Sequence, residues 1–99
     1  MIEVINPTTG DVHGRYETMT QEEALSVCEQ MHNVQQDWAK MAFSHRATCL
    51  TKAAELLRHN KDSYAAIITG EMGKPITQAR AEIEKCAWAC EYYALNSKS

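Results

Sequence analysis

A glycine and a proline two residues apart, Gly73-Lys74-Pro75, stand between two apolar-periodic runs, and no other feature narrows the possible folds of this chain as far. Gly73 falls where a left-handed helix cap belongs, and Pro75 stands where a new helix can begin, because proline's fixed φ suits a first turn that needs no N–H. The segment Ile68-Thr69-Gly70-Glu71-Met72-Gly73-Lys74-Pro75 therefore reads as one helix ending and another starting at once. Gly70, inside the first of these helices, costs about 1 kcal/mol against alanine, so its presence points to close packing or an early fray.

The flanking segments follow from the same logic. Residues 2–18 read as a β-hairpin: Ile2, Val4, Val12 and Tyr16 alternate with polar residues or glycine. Asn6-Pro7-Thr8-Thr9-Gly10 supplies the turn. Thr20 with Glu23 forms a capping box at the head of a long helix. The apolar stripe of that helix, Ala24, Val27, Cys28, Met31, Val34, Trp38, Met41 and Ala42, is expected to be buried. Ser44 is the expected cap of a second helix carrying Ala47, Leu50, Ala53, Ala54 and Leu57, which the Arg58-to-Asp62 cluster should interrupt. A third helix carries Tyr64, Ile67, Ile68 and Met72. The last starts near Pro75 and runs to about Asn96, with a stripe of Ile76, Ala79, Ile83, Cys86, Ala87, Cys90, Tyr93 and Ala94. The expected fold is mostly α with an N-terminal β-hairpin: one unit over 1–99, hairpin over 1–18 and helical segments over 19–99, without βαβ alternation.

Charge and cysteine usage exclude several functions. A net charge of −3 leaves no basic stripe to neutralise phosphates, so no nucleic-acid partner is expected, and the ten Lys and Arg residues read as solvated faces. No run approaches a membrane-spanning length and the N-terminus lacks a basic, apolar leader, so a cytoplasmic protein without a membrane role is the expectation. Cys28, Cys49, Cys86 and Cys90 read as buried structural thiols rather than disulfides. Three pairs sit one helical turn apart, Cys28 with His32, His45 with Cys49, and Cys86 with Cys90, but a structural zinc site needs four converging ligands. Glu82 and Glu84 cannot share a helix face, and Glu84 and Glu91 are expected to point to water. No Gly-rich phosphate loop is present, since Gly70 and Gly73 lack a third glycine and a preceding strand. Trp38 reads as core and Trp88, one residue off its stripe, as facing a partner.

Taken in order, Val4-Ile5-Asn6-Pro7-Thr8-Thr9-Gly10-Asp11, Asp37-Trp38, Arg46 with Leu50, Ala53 to Leu57, Glu71-Met72-Gly73-Lys74-Pro75 and Glu82 to Ala94 resemble the N-terminal region of NAD(P)-dependent aldehyde dehydrogenases, most closely the succinate-semialdehyde branch. The resemblance implies a partial piece of an α/β fold, flanking the nucleotide-binding domain, whose last helix borders the substrate entrance. It implies that the nucleophilic Cys, the general-base Glu and the unit that holds NAD or NADP lie further along, so that this chain has no catalytic and no cofactor-binding residue and is inactive alone. Some members hold a structural monovalent cation, which here implies the backbone oxygens of Val4 and Ile5 and the carboxylate of Glu71. The expected partner is the remainder of a parent enzyme. The alternative is a stand-alone helical module that self-associates to cover its apolar faces.

Overall fold

A computed structural model describes residues 1–98. Two strands, β1 (Ile2–Ile5) and β2 (Val12–Tyr16), precede four helices: α1 (Gln21–Lys40), α2 (Phe43–His59), α3 (Lys61–Met72) and α4 (Ile76–Asn96). The expected fold class holds. The strands pair antiparallel, Ile2 opposite Tyr16 and Val4 opposite Gly14, and the register slips between Val4 and Ile5 so that His13 is the bulged residue. The turn is made as the sequence dictates. Asn6 Oδ1 accepts from the Thr8 amide at 2.9 Å, the Gly10 amide donates to the Asn6 carbonyl at 2.8 Å, and Gly10 takes a φ of 79°.

Helix boundaries follow the local chemistry. Thr20 accepts from the Glu23 amide at 3.1 Å while Glu23 accepts from the Thr20 amide at 3.2 Å, which completes the capping box. Asn60 separates α2 from α3, Gly73 closes α3 with a φ of 72°, and Pro75 is the N-cap of α4. One boundary differs from expectation. The cap of α2 is Ala42, without a side-chain hydrogen bond, and Ser44 lies inside the helix, where its carbonyl accepts from Thr48 Oγ1.

Packing joins α2 and α3 to α4 and lays the hairpin against α3. The core is a thin seam of Ala54, Ala65, Ala79, Ile83 and Ala87, with Leu57 and Ile68 alongside. Alanines let helix axes approach closely but remove little apolar surface from water. The expected burial of α1 is wrong: no residue of that helix is buried, and Met31 and Val34 are 66% and 65% exposed. Periodicity correctly marked an apolar stripe, but nothing among the described residues lies over it. Of the eight residues of the α4 stripe, Ala79, Ile83 and Ala87 are buried, Cys90 and Ala94 half-buried, and Ile76, Cys86 and Tyr93 exposed.

The hairpin is seated through two glycines. A Cβ on Gly70 would lie 2.1 Å from His13 Cε1, and one on Gly73 would lie 2.8 Å from Pro7 Cγ. Gly70 is therefore a close-packing glycine, the first of the two readings its sequence context allowed, and Gly73 is required both by its φ and by its neighbour. The whole forms an open slab, 47 × 38 × 18 Å, with a radius of gyration of 17.3 Å where a compact chain of this length has about 13 Å.

Candidate functional site

The residues implied for a cation site come from two elements that touch. Val4 and Ile5 end β1, Glu71 lies in the last turn of α3, and β1 rests against α3. Val4 and Glu71 are half-buried and Ile5 is exposed. The Glu71 carboxylate makes no hydrogen bond or ion pair among the described residues, and it stands at the negative end of the α3 dipole. Two carbonyls and a carboxylate are the donor types that hard cations take. Their kind fits; their number falls short of the about six oxygens that an ion such as Ca²⁺ gathers.

Other sequence candidates do not assemble. Among the described residues no group of three or more His, Cys, Asp or Glu side chains converges closely enough for a metal. Cys49 Sγ lies 3.9 Å from His45 Nε2, a contact within one helix, while His32 pairs instead with Gln36. The four cysteines are free, in keeping with the absence of disulfides expected of them. Their expected burial is corrected: Cys28 and Cys86 are exposed and Cys49 and Cys90 half-buried, because the faces that carry them are uncovered. Trp38 is only half-buried, with its ring edge-on to His45 at 6.2 Å between centroids, so it is not core. Trp88 is 67% exposed, as its place off the stripe suggested.

Charged side chains do more than solvate the surface. Arg58 of α2 donates Nε to Glu84 Oε1 at 2.8 Å and both Nη atoms to the Glu91 carboxylate at 2.7 and 2.6 Å. Lys61 Nζ stands 3.5 Å from the other Glu84 oxygen. Hydrogen bonding to Arg58 holds both carboxyls below the usual carboxylate range, against a smaller opposing effect of desolvation, and raises the guanidinium. The expectation that Glu84 and Glu91 point to water is thus overturned. They sit two turns apart on one face of α4, and that spacing is the signal that sequence reading passed over. Lys74 with Glu82 at 2.6 Å and Arg80 with Asp62 at 2.9 Å are exposed pairs on the solvated surface expected of the basic residues.

The described residues thus form helices held by alanines and ion pairs, a docked hairpin, and broad uncovered apolar faces. The profile of the aldehyde dehydrogenase family matches residues 1–99, and the chain belongs to that family. More particularly, it is 38% identical over 93 residues to a probable succinate-semialdehyde dehydrogenase [NADP(+)] of Synechocystis, covering 94% of this chain and 20% of that protein. It is 35% identical over 98 residues to succinate-semialdehyde dehydrogenase [NADP(+)] 1 of Mycobacterium tuberculosis, covering 99% of this chain and 21% of that protein. Among solved structures, succinic semialdehyde dehydrogenase of Streptococcus pyogenes in complex with NADP⁺ superimposes with a TM-score of 0.90 at 33% identity, over 97% of this chain and 21% of that one. Glyceraldehyde-3-phosphate dehydrogenase GapN of Methanocaldococcus jannaschii, complexed with NADP, gives 0.92 at 25% identity, over 100% and 22%. The chain matches the N-terminal portion of such enzymes and spans about a fifth of their length. No helix among the described residues is long and apolar enough to cross a membrane.

Proposed function

We propose that this chain is the N-terminal scaffold of an NADP-dependent aldehyde dehydrogenase that oxidises succinate semialdehyde, with the nucleophilic cysteine, the general base and the cofactor-binding unit contributed by residues outside it. When bound, NADP⁺ would accept the hydride; the work of this chain is to hold the apolar wall against which the rest of the enzyme packs. Four cysteines left as free thiols suit the reducing cytoplasm. Glu71 with the Val4 and Ile5 carbonyls would supply part of a monovalent-cation shell, completed from elsewhere in the enzyme.

The observation that carries this reading is uncovered area. The accessible surface is 7755 Å², whereas a compact monomer of 11.2 kDa exposes about 5,700 Å². The excess, about 2,000 Å², is more than twice the roughly 800 Å² that each partner buries in a standard-sized interface. Ordinary self-association would leave most of it wet. A large covering domain is the better match, which favours the remainder of an enzyme over a stand-alone dimerising module.

The test is a chimera in which this chain replaces the corresponding stretch of the Synechocystis relative. It should reduce NADP⁺ with succinate semialdehyde, read at 340 nm, while the 99-residue chain alone should not. A folded chimera without activity, or turnover by the chain alone, refutes the proposal.

A further inference from the structure

A cleft of about 710 Å³ opens between the α1–α2 junction and the last turns of α4, lined by Trp38, Phe43, Arg46, Leu50, Tyr93 and Leu95 among others. Its walls are apolar and its charges are Arg46 and Lys98, with no carboxylate among the lining residues. The Arg46 guanidinium lies over the Phe43 ring, 4.3 Å from its centroid. Its Nε is buried and has no hydrogen-bond partner among the described residues. A dry guanidinium donor without an acceptor is costly to keep, unlike Arg58, whose Nε and both Nη atoms are met by carboxylates.

We propose that this cleft seats an apolar segment bearing a carboxylate, supplied by the remainder of the same polypeptide, and that the carboxylate pairs with the Arg46 guanidinium. The proposal rests on the reading above only in requiring a longer chain. Charge decides the occupant. Guanidinium presents Nε–H and Nη–H as a fork that a carboxylate matches in geometry and sign. The α1 face of a second copy fits poorly: on α1, Glu22 and Glu29 fall opposite the stripe of Val27, Met31 and Val34, Asp37 lies about a quarter turn from it, and Glu23 is held in its capping box.

Two measurements test this. In a Trp88→Phe background, Trp38 emission reports the cleft. Octanoate should bind about tenfold tighter than octanamide, and Arg46→Met should erase that preference while leaving octanamide binding unchanged. Equal binding of the two probes, or a preference that survives Arg46→Met, overturns the role of Arg46. In a crystal structure of the chimera, a carboxylate from outside residues 1–99 should lie within hydrogen-bond distance of the Arg46 guanidinium, with apolar neighbours filling the cleft. An open cleft, or an acceptor from within residues 1–99, overturns the assignment of the occupant. Activity of the chimera is read separately, so an inactive chimera with a filled cleft would refute the proposed enzyme and leave this inference standing.

Discussion

Replacing Gly70 by alanine separates two opposed effects that the structure puts at one position. In the middle of a helix, alanine is favoured over glycine by about 1 kcal/mol. The new methyl would, however, stand 2.1 Å from His13 Cε1, 2.6 Å from Nδ1 and 2.8 Å from Nε2, all below any real contact. The imidazole must leave its seat on α3, and overpacking of this kind costs about 1–3 kcal/mol. Gly70→Ala should therefore range from neutral to about 2 kcal/mol destabilising in the native background. With His13→Ala the obstruction is gone, and the same change should stabilise by about 1 kcal/mol. Urea unfolding of the two single variants and the double variant closes the cycle, with an expected coupling of about 1–3 kcal/mol. A coupling near zero, with Gly70→Ala stabilising in both backgrounds, would show that the bulged histidine does not rest on this helix and would undo the account of how the hairpin is held.

Two further outcomes follow from features already described. Because the folded-state pKa values of Glu84 and Glu91 lie below the ordinary 4.5, their contribution is complete above that value and is lost as the pH falls through the lowered values. The melting temperature should fall as the pH drops below about 4.5, less steeply in Glu91→Gln; identical slopes would contradict the Arg58 bridge. Thr20→Ala removes half of a capping box worth about 1 kcal/mol. Since α1 has no packed partner to compensate, far-UV dichroism should show a loss of helix far beyond the first turn, and unchanged ellipticity would show that α1 does not depend on its cap.

The sequence made legible whatever is decided within a few residues. Gly73 and Pro75, the Thr20–Glu23 box, the Asn6 turn with Gly10 and the Asn60 break each act through their own backbone, and each stands where expected. Ser44 failed because the helix begins before it, at Phe43, with Ala42 as a cap that has no side-chain hydrogen bond. What could not be read was what lies opposite. The α1 stripe has a helical period, but a period does not say whether a partner is present. Arg58 meets carboxylates 26 and 33 residues away, a pairing fixed by how α2 crosses α4. The cation candidates Val4, Ile5 and Glu71 came from family likeness alone, since nothing in their spacing brings a strand end to a helix end. Arg46 was noticed only as part of a motif; its solitude is visible only in three dimensions.

The seam of alanines between α2, α3 and α4 also has a temporal meaning. A polypeptide emerges from the ribosome in order, and every contact of that seam joins segments within one short stretch of chain. These three helices can thus close on one another soon after α4 leaves the exit tunnel. The long arm ahead of them has no such early partner. While the seam forms, its Met31 and Val34 stay in water, 66% and 65% exposed.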